Sequence, residues 1–193
     1  AGYIRTGFEC YSLSGSPMTR AFENGEAHYG ASGHQPGGKV NFLAVGSSSM
    51  SNLGEDYYAQ NFYDLNSYKK CLDKGVLPTY RGMKLSKDDK IRQHATQQLR
   101  SYFKIDFKQF ERNFKINPKE YFSEEIEYLG EMIKDGLVTV SNDGIEMTEL
   151  GRDFSQNITN MFDIYDPPTK SYNARLETIE KAKSDQAKVQ ELI

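Results

Sequence analysis

Few residues in this chain could carry chemistry of their own. The thiols are Cys10 and Cys71, far apart in sequence and without ligand spacing, and they read as free cysteines of a reducing cytoplasm. Gly30 to Gly38, GASGHQPGG, is a glycine-rich run of the kind that lets backbone approach a ligand closely, although a plain connector has the same composition. It is not a phosphate loop, since no G-K-[ST] is present and no G-x-G-x-x-G leads into a helix. Gly46 to Ser51, GSSSMS, follows an apolar run; such small residues make a floor for a flat ligand or simply permit close packing.

Elements must position these stretches. Thr6 to Leu13 alternates as a strand inside a sheet would, and one strand cannot satisfy its own N–H and C=O groups, so neighbours supplied by upstream sequence are expected. Pro17 to Asn24 spells a short helix stopped by Gly25. Lys39 to Gly46 spells the strand that feeds the small-residue stretch, Asp56 to Asn61 a second strand or edge, and Leu65 to Lys74 a helix stopped by Gly75. Pro78 marks a linker.

Beyond it the local signals are denser. Ser86 with Asp89 makes a weak capping box, and Ile91, Ala95, Leu99 and Phe103 form one apolar face. Asp106 caps a short helix with Phe107, Phe110 and Phe114 inward. Asn117-Pro118-Lys119-Glu120 starts a third helix, with Phe122, Ile126, Leu129 and Ile133 on one stripe and Gly136 as the stop. Leu137 to Val140 and Ile145 to Met147 are short β-rich runs joined by Ser141-Asn142-Asp143-Gly144. Thr148 caps a last helix whose face is Leu150, Phe154, Ile158, Met161 and Tyr165. Three helices, a hairpin and a further helix make a winged-helix pattern. Its third helix would be the DNA reader, yet Pro118 to Asp135 carries only Lys119 and Lys134 against six carboxylates, a net charge of −4. Duplex phosphates repel such a face, so a structural or lid role is the better expectation.

The totals agree. The 193 residues suffice for one large or two small domains, and a formal charge of −3 with pI near 5.7 gives no reason to expect nucleic acid or an anionic membrane as partner. With no Trp, the 13 Tyr and 11 Phe must supply much of the core. No apolar run approaches a bilayer span and no signal peptide pattern opens the chain, so a cytoplasmic location is expected. The fold class expected is α+β: residues 1–78 as a partial barrel-edge β segment with short helices, 79–166 as a mostly helical winged-helix domain, and 167–193 as a C-terminal helical tail carrying Leu176, Ile179, Ala182, Ala187, Val189 and Leu192.

A collinear set of residues runs through these elements. It comprises Gly46 to Ser51, Tyr58-Ala59-Gln60-Asn61, Arg81-Gly82, Leu85-Ser86, Asp88-Asp89, Ile91-Arg92, Tyr121-Phe122, Asp135-Gly136-Leu137-Val138, Gly144-Ile145, Thr148, Gly151-Arg152, Asn157-Ile158, and Phe162-Asp163 with Tyr165. In this the chain resembles, over roughly Gly7 to Tyr165, the C-terminal half of oxygen-independent coproporphyrinogen III oxidases and related radical S-adenosylmethionine (SAM) enzymes. The resemblance implies a first half, an open barrel, that holds a [4Fe–4S] cluster through CxxxCxxC and cleaves SAM to a radical. That radical takes hydrogen from propionates of coproporphyrinogen, which lose CO2 in haem biosynthesis. The second half completes the barrel, contacts SAM and covers the tetrapyrrole. This chain has no CxxxCxxC, and a cluster needs closely spaced thiolates. The chain alone is therefore expected to bind no cofactor and to be inactive, its partner being the missing N-terminal barrel half.

By match to family positions, Ala31 and Ser32 stand where an aromatic–amide pair helps hold SAM, and Met50 stands at an apolar SAM contact, with Gly46 and Ser48 beside it. Asn41 replaces an acidic residue, and Gln156 replaces an Arg that could face a propionate. These departures keep other readings open: methyl transfer that opens haem, a haem-binding chaperone with His28 or His34 as axial ligand, and, on the charge argument weakest of all, a winged-helix DNA binder.

Overall fold

The structure, a computed structural model, describes residues 2–30, 33–38, 41–54 and 56–165. The expected C-terminal helix at 167–193 lies outside the described residues. The fold is mixed α and β. In chain order the elements are β1 (Tyr3–Arg5), β2 (Tyr11–Leu13), α1 (Pro17–Glu23), β3 (Ala27–Gly30), β4 (Gly33–Pro36), β5 (Met50–Leu53), β6 (Tyr57–Asn61), α2 (Leu65–Asp73), β7 (Thr79–Lys84), α3 (Lys87–Tyr102), β8 (Lys104–Asp106), α4 (Phe107–Phe114), α5 (Pro118–Tyr121), α6 (Ser123–Tyr128), α7 (Gly130–Lys134), β9 (Val138–Val140), β10 (Gly144–Met147), a 3-10 turn at Gly151–Phe154 and α8 (Ser155–Asn160). They pack as two units. Among the described residues, one joins those up to 38 with 91–165, and the other comprises those from 41 to 90.

In the discontinuous unit the core is aromatic, as the composition requires. Phe110, Phe122 and Phe162 are fully buried and meet edge to face, Phe110 to Phe122 at 5.6 Å and Phe122 to Phe162 at 5.4 Å between centroids. Ile91, Ala95, Leu99 and Phe103 line the α3 side of this core as their spacing predicts. Asp106 caps α4 by accepting from the Gln109 N–H at 3.0 Å, and Asn117 caps α5 by accepting from Lys119 N at 3.1 Å. Antiparallel strands β8, β10 and β9, in that spatial order, close one side.

Several expectations need correction here. Thr6 to Leu13 is not one strand. Gly7 at φ +133° and Glu9 at φ +53° turn the chain, Thr6 N donates to Cys10 O at 2.8 Å, and β1 pairs with β2 as a hairpin within the chain. Within Gly30 to Gly38, residues Gly33 to Pro36 form β4, paired with β3 in the register His28–Gln35 and Tyr29–His34. The third helix is interrupted at Phe122 (φ −101°, ψ 26°) and Leu129 (φ −71°, ψ −7°), both fully buried. The last segment turns there, so Ile133 is exposed while Met132 packs on the core. The final helix opens with a 3-10 turn, which shifts its phase. Leu150, Phe154 and Tyr165 face solvent, and Ser155, Ile158, Thr159 and Phe162 face inward. Gly151 governs that approach: a Cβ there would lie 1.8 Å from the Leu137 carbonyl oxygen.

The other unit is built on the antiparallel sheet β5-β6-β7. Beyond Pro78 the chain is no linker but β7, which pairs with β6 from Tyr57–Lys84 to Asn61–Thr79. The expected strand from Lys39 to Gly46 reduces, in its described part, to one bridge between Phe42 and Asn52; Lys39 and Val40 lie outside the described residues. Asp64 caps α2 by accepting from Ser67 N at 2.8 Å, a bond that holds its carboxyl below the usual range. The first turn of α3 carries a reciprocal capping box: Asp89 N donates to Ser86 Oγ at 3.1 Å, and Ser86 N donates to Asp89 Oδ2 at 2.8 Å. Among the described residues, no helix is long and apolar enough to cross a membrane.

Candidate functional site

The small-residue stretch is a tied turn. Gly46 at φ +110° and Ser48 at φ +58° give it a backbone that ordinary strands lack. Gly46 N donates to the Tyr68 hydroxyl at 3.1 Å, and Gly46 O accepts from Ser49 Oγ at 2.8 Å and Asn61 Nδ2 at 3.1 Å. Ser48 N donates to Phe62 O at 2.7 Å, Ser48 O accepts from Gln60 Nε2 at 3.2 Å, and Arg81 Nε holds that same Gln60 through its Oε1 at 2.8 Å. Gln60 and Asn61, with Arg81 acting through Gln60, thus have a physical reason to accompany Gly46 to Ser51: their side chains clamp it. The turn runs into β5 at Met50, whose side chain is 42% exposed. The polar groups of Gly46 and the backbone of Ser48 are engaged internally, and the turn leaves the apolar side chains of Val45 and Met50 exposed on either side of it. Gly46, Ser48 and Met50 are brought together; Ala31 and Ser32 lie outside the described residues.

The histidines divide. His34 Nε2 lies 2.7 Å from Phe8 O, its ring meets Tyr29 edge to face, and its buried Nδ1 has no partner. Burial lowers its pKa; the Phe8 bond opposes this and the Arg100 charge adds to it. Gly7 makes the room, since a Cβ there would come within 2.4 Å of His34 Cε1. This is a packed histidine rather than an open axial ligand. His28 instead lines a cleft of about 440 Å³ in the same unit, with Phe22, Gln97, Ser101 and Tyr102. His28 Nε2 faces Gln97 Nε2 at 3.4 Å. The stripe His94, Gln97, Gln98 and Ser101 on α3 was legible as spacing i, i+3, i+4 and i+7, beside the apolar stripe, yet no motif singles it out.

The thiols do not fit an iron–sulfur cluster. There are two, Cys71 is buried within α2, and Cys10 Sγ accepts from Thr6 Oγ1 at 3.3 Å. Among the described residues, no group of three His, Cys, Asp or Glu side chains is arranged to hold a metal ion.

Comparison with known proteins follows this geometry. Residues 85–154 match the family model of the HemN C-terminal domain. Oxygen-independent coproporphyrinogen III oxidase of Pseudomonas aeruginosa is 33% identical over 167 residues, 86% of this chain and 36% of the relative. The Helicobacter pylori enzyme of the same name is 32% identical over 165 residues, with the same coverage. Among solved structures, Escherichia coli coproporphyrinogen III oxidase (HemN), described as a radical SAM enzyme, superimposes with a TM-score of 0.79 at 32% identity, over 85% of this chain and 38% of that one. The chain spans a little over a third of the length of these relatives. Residues 85–154 are thus similar to a HemN C-terminal domain, and most of the chain is similar to part of the oxygen-independent coproporphyrinogen III oxidases.

Proposed function

We propose that this chain is the C-terminal, substrate-covering and SAM-contacting portion of a radical SAM oxidoreductase that decarboxylates a coproporphyrinogen-type tetrapyrrole in the cytoplasm. The observation that carries this reading is the similarity to such oxidases along 86% of the chain. The clamped Gly46–Met50 turn supports it, because a rigid surface ending in an exposed apolar side chain suits contact with a cofactor held mainly elsewhere. In this reading Met50 forms an apolar wall against SAM, Gly46 and Ser48 set its position, and Ala31 and Ser32 belong to the same contact. The cluster that would supply reducing electrons finds no ligand set here, so its thiolates come from the partner half. Residues 1–78 then close the barrel. The order helix, strand, helix, interrupted helix, strand, strand from α3 to β10 supports a winged-helix reading of the region assigned to 79–166, with the carboxylate-rich α5–α7 stretch turned away from any role on DNA.

The test is anaerobic. The longer protein, reconstituted with iron and sulfide, is incubated with SAM, a reductant and coproporphyrinogen III, and products are read by mass. Loss of CO2 supports the proposal; neither turnover nor tetrapyrrole binding overturns it.

A further inference from the structure

The turn at residues 6–10 is fastened by a histidine that has no acceptor for a second proton. Gly7 and Glu9, both at positive φ, bend the chain there. Three backbone donors fix it: Thr6 N to Cys10 O at 2.8 Å, Cys10 N to Gly7 O at 3.3 Å, and Phe8 N to Arg100 O at 2.8 Å. The last bond ties the turn to the end of α3. His34 on β4 adds the side-chain tie, its Nε2 lying 2.7 Å from Phe8 O. A carbonyl can only accept, so Nε2 carries the imidazole proton and Nδ1 is the bare nitrogen. Nδ1 is buried and has no hydrogen-bond partner. It lies against Gly7, where a Cβ would stand 2.9 Å from it. The backbone of the turn is thus part of what keeps water from this nitrogen.

A proton added at Nδ1 would create a cation whose new N–H is buried without an acceptor. The charge that faces the ring repels it further. Arg100 acts on it from α3, and the Arg100 guanidinium lies 4.7 Å from the ring of Tyr29 on β3, the same ring that meets His34 edge to face. Glu9 on the turn is exposed. Glu23 and Glu26 line the cleft with His28, on the hairpin face opposite Tyr29 and His34. Arg20 on α1 is engaged with Gly15 O at 2.6 Å. The closed turn therefore suits the neutral imidazole alone, and opening at Gly7 gives Nδ1 the water that the charged form needs.

We propose that residues 6–10 form an acid-released latch: a proton taken up at His34 Nδ1 frees the turn from α3 and β4, while the β1–β2 hairpin stays anchored through Arg5. That anchor is separate, Arg5 donating to Asp153 Oδ1 at 2.9 Å and to Arg152 O at 2.7 Å. The latch draws nothing from the coproporphyrinogen reading, since every residue in it lies in the discontinuous unit.

Amide hydrogen exchange of the 193-residue chain, followed by NMR between pH 7.5 and 5.5 and corrected for the intrinsic rate, tests it. In the open form the imidazole titrates near its ordinary value of about 6.5, so opening at Phe8 should grow severalfold across that range, with a ceiling of about tenfold. Phe8 should exchange through an opening smaller than the global one, its protection lying below that of Ile145 in the core throughout. His34→Gln keeps an amide donor for Phe8 O but cannot titrate, and its Phe8 protection should be the same at both ends of the range. Phe8 protection independent of pH in the parent chain, exchange of Phe8 only together with Ile145, or the same pH response in His34→Gln would each overturn the proposal.

Discussion

Alanine at Gly151 and alanine at Gly130 should move stability in opposite directions. Both glycines lie in helical segments, and neither needs a left-handed backbone. Intrinsic propensity alone would make both substitutions stabilising by about 0.5–1 kcal/mol. Gly130 in α7 has nothing within 4 Å of where its Cβ would stand, so Gly130→Ala should show that gain. At Gly151 the same atom would lie 1.8 Å from Leu137 O, a backbone atom that cannot swing aside. Leu137 O accepts from Thr148 N at 2.9 Å, and Thr148 Oγ1 in turn accepts from Gly151 N at 3.0 Å. Retreat of the 3-10 turn by the 1–2 Å needed would break both bonds, at roughly 1 kcal/mol each, and add the overpacking cost of about 1–3 kcal/mol. Net of propensity, Gly151→Ala should lose about 2–4 kcal/mol, which for a chain of this size lowers Tm by about 4–16 °C. Thermal unfolding followed by circular dichroism at one protein concentration decides it. A Gly151→Ala protein that melts at or above the parent temperature would refute the packing described for the last helix.

Other outcomes follow from the same geometry. Because burial holds the His34 pKa down in the folded chain, the unfolded state binds the proton more readily; stability should be full above the ordinary imidazole pKa near 6.5 and fall as pH drops through it. Urea midpoints between pH 7.5 and 5.5 should show that slope, and His34→Gln should flatten it. Asn61→Ala removes two bonds to the turn, at Gly46 O and Ser49 Oγ, and should cost about 2 kcal/mol with faster amide exchange at Ser48 and Ser49. Glu125 and Arg92 form a largely buried pair at 2.5 Å, so Glu125→Ala alone should cost about 3–5 kcal/mol in denaturant titration, while Arg92→Met with Glu125→Leu should cost much less. Lys108–Asp143, with both side chains about three-quarters exposed, should be nearly silent to Lys108→Ala by the same measurement.

Local chemistry was legible in the sequence wherever it was self-contained. The caps at Ser86, Asp106 and Asn117 and the stops at Gly25, Gly75 and Gly136 each depend on a few adjacent residues, and each is found where its residues stand. What was not legible depends on distant partners. β8 is three residues long, and Lys104-Ile105-Asp106 becomes a strand only because β10 lies beside it. Gly33 to Pro36 lacks every residue type that favours strands, yet pairs through its backbone with β3. The turn at Gly46 could be seen as small and flexible in composition; that Tyr68, Asn61 and Gln60 make it rigid could not, since they arrive from twelve or more residues away.

The discontinuous unit has a consequence for synthesis. Its opening segment, ending at residue 39, finds its packing partners only after residue 91 has emerged, and the intervening stretch forms the other unit. At roughly 5–20 residues per second, the early hairpins wait on the order of 3–10 s with their inner faces uncovered. The sheet β5-β6-β7, whose strands are neighbours in sequence, can assemble during that delay and shorten the loop whose closure must follow. A ribosome that pauses before α3 would thus hold a finished insert inside an unfinished host.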